Sequence, residues 1–186
     1  MEKLLGHPVH WEICLLHGNE LPFQALFIHY DGKTSGPTAF KGPIGKALQE
    51  DLTQKTPVQF EKIENKDFPM LPDNVIFDLS YEQDYMYHMG WSIIRGWLDE
   101  DFCFQEPGML DHAHWNPLAN RLMLKYVTTK NPSYKLKRLT HISVEFYVPS
   151  WFWIKSHPHC VDGPKNLLKM IEFLRKLKPK EQKIAQ

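Results

Sequence analysis

The sequence predicts an α+β fold: a single domain over residues 1–186 in which an antiparallel sheet carries about four helices. Three observations predict it. Two apolar, aromatic runs flank a Gly-Asn connection, further segments are rich in strand-forming residues, and four stretches show helix periodicity or helix-start signals.

The two runs cover residues 9–16 and 21–30 and are separated by His17-Gly18-Asn19-Glu20. Gly and Asn accept the positive φ of tight connections, so the pair reads as an antiparallel hairpin. Val9, Trp11, Ile13 and Leu15 would share one face, with His10, Glu12, Cys14 and Leu16 on the other. Residues 31–45 hold four Gly and two Pro, which is loop chemistry, and a short helix is expected over 44–53. Segments 58–63 and 75–79 read as further strands. Ser80 with Gln83 forms a capping-box pattern, and Tyr85, Met89, Ile93 and Trp97 recur every four residues behind it, which predicts a helix over 82–98. Gly90 and Gly96 inside that helix each cost about 1 kcal/mol relative to Ala, a cost that close packing against another element would justify. Residues 99–115 look irregular. Asn116-Pro117 supplies a cap and a first-turn proline for a helix to Tyr126. Residues 140–148 alternate as a strand that Pro149 ends. After Trp151-Phe152-Trp153, Asp162-Gly163-Pro164 opens a last helix striped by Leu167, Ile171 and Leu174.

Hydrophobic residues make up 42% and charged residues 24% of the chain, which is globular rather than disordered composition. Lysine plus arginine equals aspartate plus glutamate, 22 of each, so no global field draws nucleic acid or an anionic membrane. Lys125 to Arg138 carries five basic residues and no acid, and the tail from Lys165 is basic too; both read as solvated faces. Met1-Glu-Lys-Leu-Leu-Gly-His lacks the apolar run of a signal peptide, and no apolar stretch reaches the roughly 20 residues of a membrane helix. Cys14, Cys103 and Cys160 are odd in number and widely spaced, so three free thiols and a cytoplasmic setting are expected. Aromatics reach 13%, suited to a thick core or to an adhesive surface, with Trp151-Phe152-Trp153 as the candidate patch for a protein or peptide partner.

Four motifs could carry chemistry. Lys41-Gly-Pro-Ile-Gly-Lys46 resembles a phosphate loop but lacks the first glycine at the required spacing and any Ser or Thr after the lysine. Asp111-His112-Ala113-His114 places the imidazoles of His112 and His114 on one side of an extended segment, which would suit zinc or manganese with help from Asp111 or His88; no other cofactor is expected. The pair also resembles the histidine site of single-strand nucleases, with Tyr126 and Tyr134 downstream. His141-Ile-Ser-Val resembles one of the two elements of two-histidine phosphoesterases, and the chain holds no second copy.

Cys160 follows Ser156-His157-Pro158-His159 and precedes a helix start, where free N–H groups and the dipole favour thiolate. His10-Trp11 running into Ile13, Leu15 and Leu16, with His159-Cys160-Val161 at a later helix, resembles the circularly permuted papain-like hydrolases of the lecithin:retinol acyltransferase type. That resemblance covers about 50 residues in two pieces. It implies Cys160 as nucleophile on an amide or ester, His10 as base and His29 as the residue that orients it. His159 stands where that family often has Asn. Two functions are therefore expected in competition: a Cys–His hydrolase or acyltransferase, and a non-enzymatic binding or inhibitory module. A metal-dependent enzyme built on the histidines is a third.

Overall fold

The computed structural model describes residues 15–34, 39–50, 52, 56–110 and 115–185. Of these, 65% are helical and 1% are strand, an isolated antiparallel bridge between Thr34 and Phe40. The expected α+β class with an antiparallel sheet is therefore corrected to a helical fold. Its helices are α1 (Leu15–Asp31), α2 (Pro43–Leu48), α3 (Asp73–Phe77), α4 (Tyr81–Arg95), α5 (Asn116–Val127), α6 (Tyr134–Ile142), α7 (Val148–Ser156), α8 (Gly163–Leu174) and α9 (Pro179–Ala185).

The expected hairpin fails because its second strand, 21–30, lies inside α1; residues 9–14 of the first lie outside the described residues. Gly18 and Asn19, read as a turn, continue the helix. Asn19 Nδ2 donates to the Tyr147 carbonyl at 3.0 Å, Glu20 Oε1 accepts the Trp115 N–H at 3.2 Å, and Phe23 stacks on Tyr147 at 4.4 Å. These tertiary anchors outweigh the local helix cost of Gly18 and Pro22.

The expected strand 140–148 is helical as well. A continuous run leads from α6 through a π-helical stretch, Ser143–Tyr147, into α7. Pro149 explains the π stretch. It has no N–H to return to Val144, and the Val148 N–H reaches back five residues to Ser143. Asn65 fills the gap from outside, donating its Nδ2 to the Val144 carbonyl at 2.8 Å. Ile142, Ser143, Val144, Phe146, Tyr147 and Val148 are all buried, and only the face of His141 and Glu145 reaches partly to solvent.

Segment 75–79 contains most of α3, a short helix begun after Pro72. Segment 58–63 is extended but pairs with no strand. Its Val58 N–H donates to Val127 at the end of α5 (2.9 Å), and its Ile63 N–H donates to Ile93 near the end of α4 (3.2 Å). It is a strap laid across two helix C-termini, where unpaired carbonyls need donors.

The helical expectations fare better. The helix expected over 44–53 is α2, ending at Leu48; those expected over 82–98 and from Asn116 are α4 and α5. The capping box holds, with the Ser80 N–H donating to Gln83 Oε1 at 3.2 Å. In α8 the core side is Asn166, Phe173 and, beyond its end, Leu177, whereas Leu167 of the expected stripe is 43% exposed.

α5 is the centre of the molecule, with Leu118, Ala119, Leu122, Met123, Leu124, Tyr126 and Val127 all buried. α4 packs along it, and Gly90 lets Phe68 come close: a Cβ there would sit 2.7 Å from its ring. α9 is tied to the body by a buried ion pair. Arg138 of α6 donates through two nitrogens to Glu181 at 2.8–3.1 Å, the Tyr30 hydroxyl donates to the same carboxylate at 2.6 Å, and the Lys178 N–H adds 2.9 Å. Burial alone would raise the Glu181 pKa, but the bonds from Arg138, Tyr30 and Lys178 outweigh it and hold the carboxyl below its ordinary value.

Candidate functional site

Of the expected chemical residues, the structure describes Cys160, His29, His88 and His141, and each of these has its own local setting. His10, Asp111, His112 and His114 lie outside the described residues. Cys160 is exposed on a 3-10 turn, Cys160–Asp162, that leads into α8, and no imidazole among the described residues hydrogen-bonds its sulfur. His29 is exposed in the last turn of α1, its ring edge-on to Tyr30 at 5.1 Å. It belongs to a helix, not to the strand that the hydrolase arrangement requires. His88 binds within its own helix, to the Asp84 carbonyl (3.0 Å) and carboxylate (3.2 Å). His141 pairs with Glu145 one turn on at 2.9 Å. Among the described residues no group of three or more His, Cys, Asp or Glu is placed to hold a metal. Nor is any helix among them long and apolar enough to cross a membrane.

Two further motifs resolve into structure. The start of α2, inside the phosphate-loop look-alike, does hold an anion, and it is the chain's own: Asp31 accepts the Ile44 and Gly45 N–H groups at 2.8 and 2.7 Å. The aromatic patch at Trp151-Phe152-Trp153 is mostly core. Trp151 is 4% and Phe152 0% exposed, and half-buried Trp153 is covered by His157, stacked at 4.3 Å, and by Lys169, 5.1 Å above its ring. A docking surface on those residues is thereby corrected.

The open surface lies at the strap. Trp97 was expected to continue the Tyr85-Met89-Ile93 stripe, yet it is 65% exposed while those three are buried. The cause is Gly96, whose φ of +76° ends α4 in a left-handed turn. The Gly96 N–H returns to Ile93 and the Trp97 N–H to Ser92, a Schellman closure. In that closure the residue after the glycine usually packs on the side chain five positions earlier. Here that residue is Ser92, too small and polar to hold an indole, so Trp97 turns outward.

Trp97 stands at the rim of a cleft of about 620 Å³ between strap residues Pro57–Phe60 and the loop Asp99-Glu100-Asp101. The three carboxylates have no cationic partner among the described residues; the Asp99 side chain accepts only the Asp101 N–H at 3.0 Å, closing the loop on itself. On the floor, the backbone N–H and C=O of Gln59 and Phe60 have no intramolecular partner among the described residues, although Val58 and Ile63 on either side are bonded. Beneath the loop, Cys103 is buried, and burial assisted by Glu100 pushes its thiol up to about 11. The fold is helical, and the groove between the strap and the Asp99–Asp101 loop is its candidate site. Comparison with family models, curated proteins and solved structures found no match.

Sequence reading missed this site although a signal was present. A glycine directly after a four-residue periodic run marks a helix end, and the aromatic behind it then belongs to the surface.

Proposed function

We propose that the protein is a non-enzymatic binding module that takes an extended, cationic segment of a partner protein into the cleft beside Trp97. One observation carries the reading: an exposed indole and three carboxylates with no cationic partner among the described residues line one cleft of about 620 Å³. An indole face and carboxylates both attract lysine or arginine side chains, and the volume lies within the range of ordinary ligand clefts. The free backbone groups of Gln59 and Phe60 add the donors and acceptors that an extended chain needs, as in strand addition to a sheet edge. A Cys–His hydrolase has no comparable support, because Cys160 is exposed and without an imidazole partner among the described residues.

The test is a fluorescence-anisotropy titration with a labelled alternating Lys/Val peptide and its Asp/Val counterpart. The Lys/Val peptide should bind, the Asp/Val peptide should not, and Trp97→Ala should weaken binding about tenfold. Neutralising the loop (Asp99→Asn, Glu100→Gln, Asp101→Asn) should weaken binding and flatten its salt dependence. Equal binding of both peptides, or no effect of Trp97→Ala, would exclude the proposal.

A further inference from the structure

The groove does not stop at Gln59 and Phe60. Both residues also line a second cavity of about 240 Å³, bounded by Tyr126, Lys130 and Lys137. Its charge is opposite. Lys130 has no carboxylate partner among the described residues, and Lys137 makes only a loose 3.5 Å contact with Glu61, the single acid at this end. The buried Tyr126 donates its hydroxyl to the Glu61 carbonyl at 2.7 Å, which anchors the strap at this end. Strap residues 57–61 thus run from an acidic cleft into a basic one, past two unbonded peptide units.

Resting on the binding role proposed above, we infer that the ligand is a dipolar extended segment: a lysine or arginine seated against Trp97 and the Asp99–Asp101 loop, and an aspartate or glutamate seated against Lys130 and Lys137. The separation follows from the strap. Residues 57 and 61 are four positions apart, so in an extended segment that follows the strap the two charges belong roughly four positions, or about 13 Å, apart. The same opposition of potentials would reject a uniformly basic chain at the second cavity and fix the direction in which the segment lies.

Three peptides of equal length test this: one with a cationic residue and a neutral residue four positions on, and two with that neutral residue replaced by glutamate, written in the two chain directions. One dipolar peptide should bind about fivefold more tightly than the neutral-ended one, and the gain should disappear in Lys130→Gln/Lys137→Gln. That double variant should still bind the neutral-ended peptide as the wild type does, which also shows that it is folded. The inference is overturned if neither dipolar peptide gains affinity or if the gain survives the double substitution. If the neutral-ended peptide binds and only the gain is missing, the cationic cleft stands and the second cavity falls; if Trp97→Ala leaves all three peptides unaffected, the cleft itself falls.

Discussion

The molecule gathers carboxylates in two places and uses them in opposite ways. At Glu181 one carboxylate is 1% exposed and receives bonds from Arg138, Tyr30 and the Lys178 N–H. At Asp99-Glu100-Asp101 three carboxylates stand in water beside an exposed indole, and none has a cation among the described residues. A buried charge must be paired, because its desolvation is otherwise uncompensated, whereas an exposed one can wait for a partner. Identical chemistry therefore serves architecture at one end and, in the function proposed above, recognition at the other; burial decides which.

That contrast can be broken. Glu181→Ala would strand the Arg138 guanidinium in a nearly closed site and should cost about 3–5 kcal/mol, read from urea unfolding. The pH dependence has a defined sign. Glu181 holds its proton less tightly folded than unfolded, so its contribution is complete above the unfolded carboxyl value and is lost as acid carries the pH down through the folded one. Tyr30 acts at the other extreme: burial first, and Glu181 second, raise its hydroxyl from 10.0 to about 12, so its contribution is lost as the pH rises across that interval. Asn65→Ala comes next. It removes the donor to the Val144 carbonyl beside Pro149 and should cost about 1–3 kcal/mol, with little change in helix content by circular dichroism. The smallest effect belongs to the open loop. Neutralising Asp99, Glu100 and Asp101 together should leave the urea midpoint where it was, although it disables binding; a large loss of stability would mean that the loop is structural after all.

The same contrast explains what the sequence could and could not reveal. Helices with local punctuation were legible: Ser80 with Gln83 marked α4, and Asn116-Pro117 marked α5. The run 140–148 was not, because nearly all of it is buried, which leaves only His141 and Glu145 to mark a polar face, and its Val, Phe and Tyr residues favour strands when read alone. α1 was hidden by Gly18, Asn19 and Pro22, whose local preference is overridden by contacts to Trp115 and Tyr147 far along the chain. The strap has a strand's extension, yet its hydrogen bonds go to helix ends, a pairing that alternation cannot report. Cys160 does precede a helix start as read, whereas His29, expected on a strand, lies in the last turn of α1. The groove residues drew no notice, because Trp97 fitted the periodicity of α4 until Gly96 turned it out.

The central claim is that the strap between its two bonded positions is the docking edge, and amide hydrogen exchange by NMR tests it most directly. On addition of the Lys/Val peptide, the Gln59 and Phe60 amides should become protected and the Trp97 indole resonance should shift. The amides of Val58 and Ile63, already donating to Val127 and Ile93, should change little. Peptide binding that leaves Gln59 and Phe60 exchanging as fast as before would contradict the account.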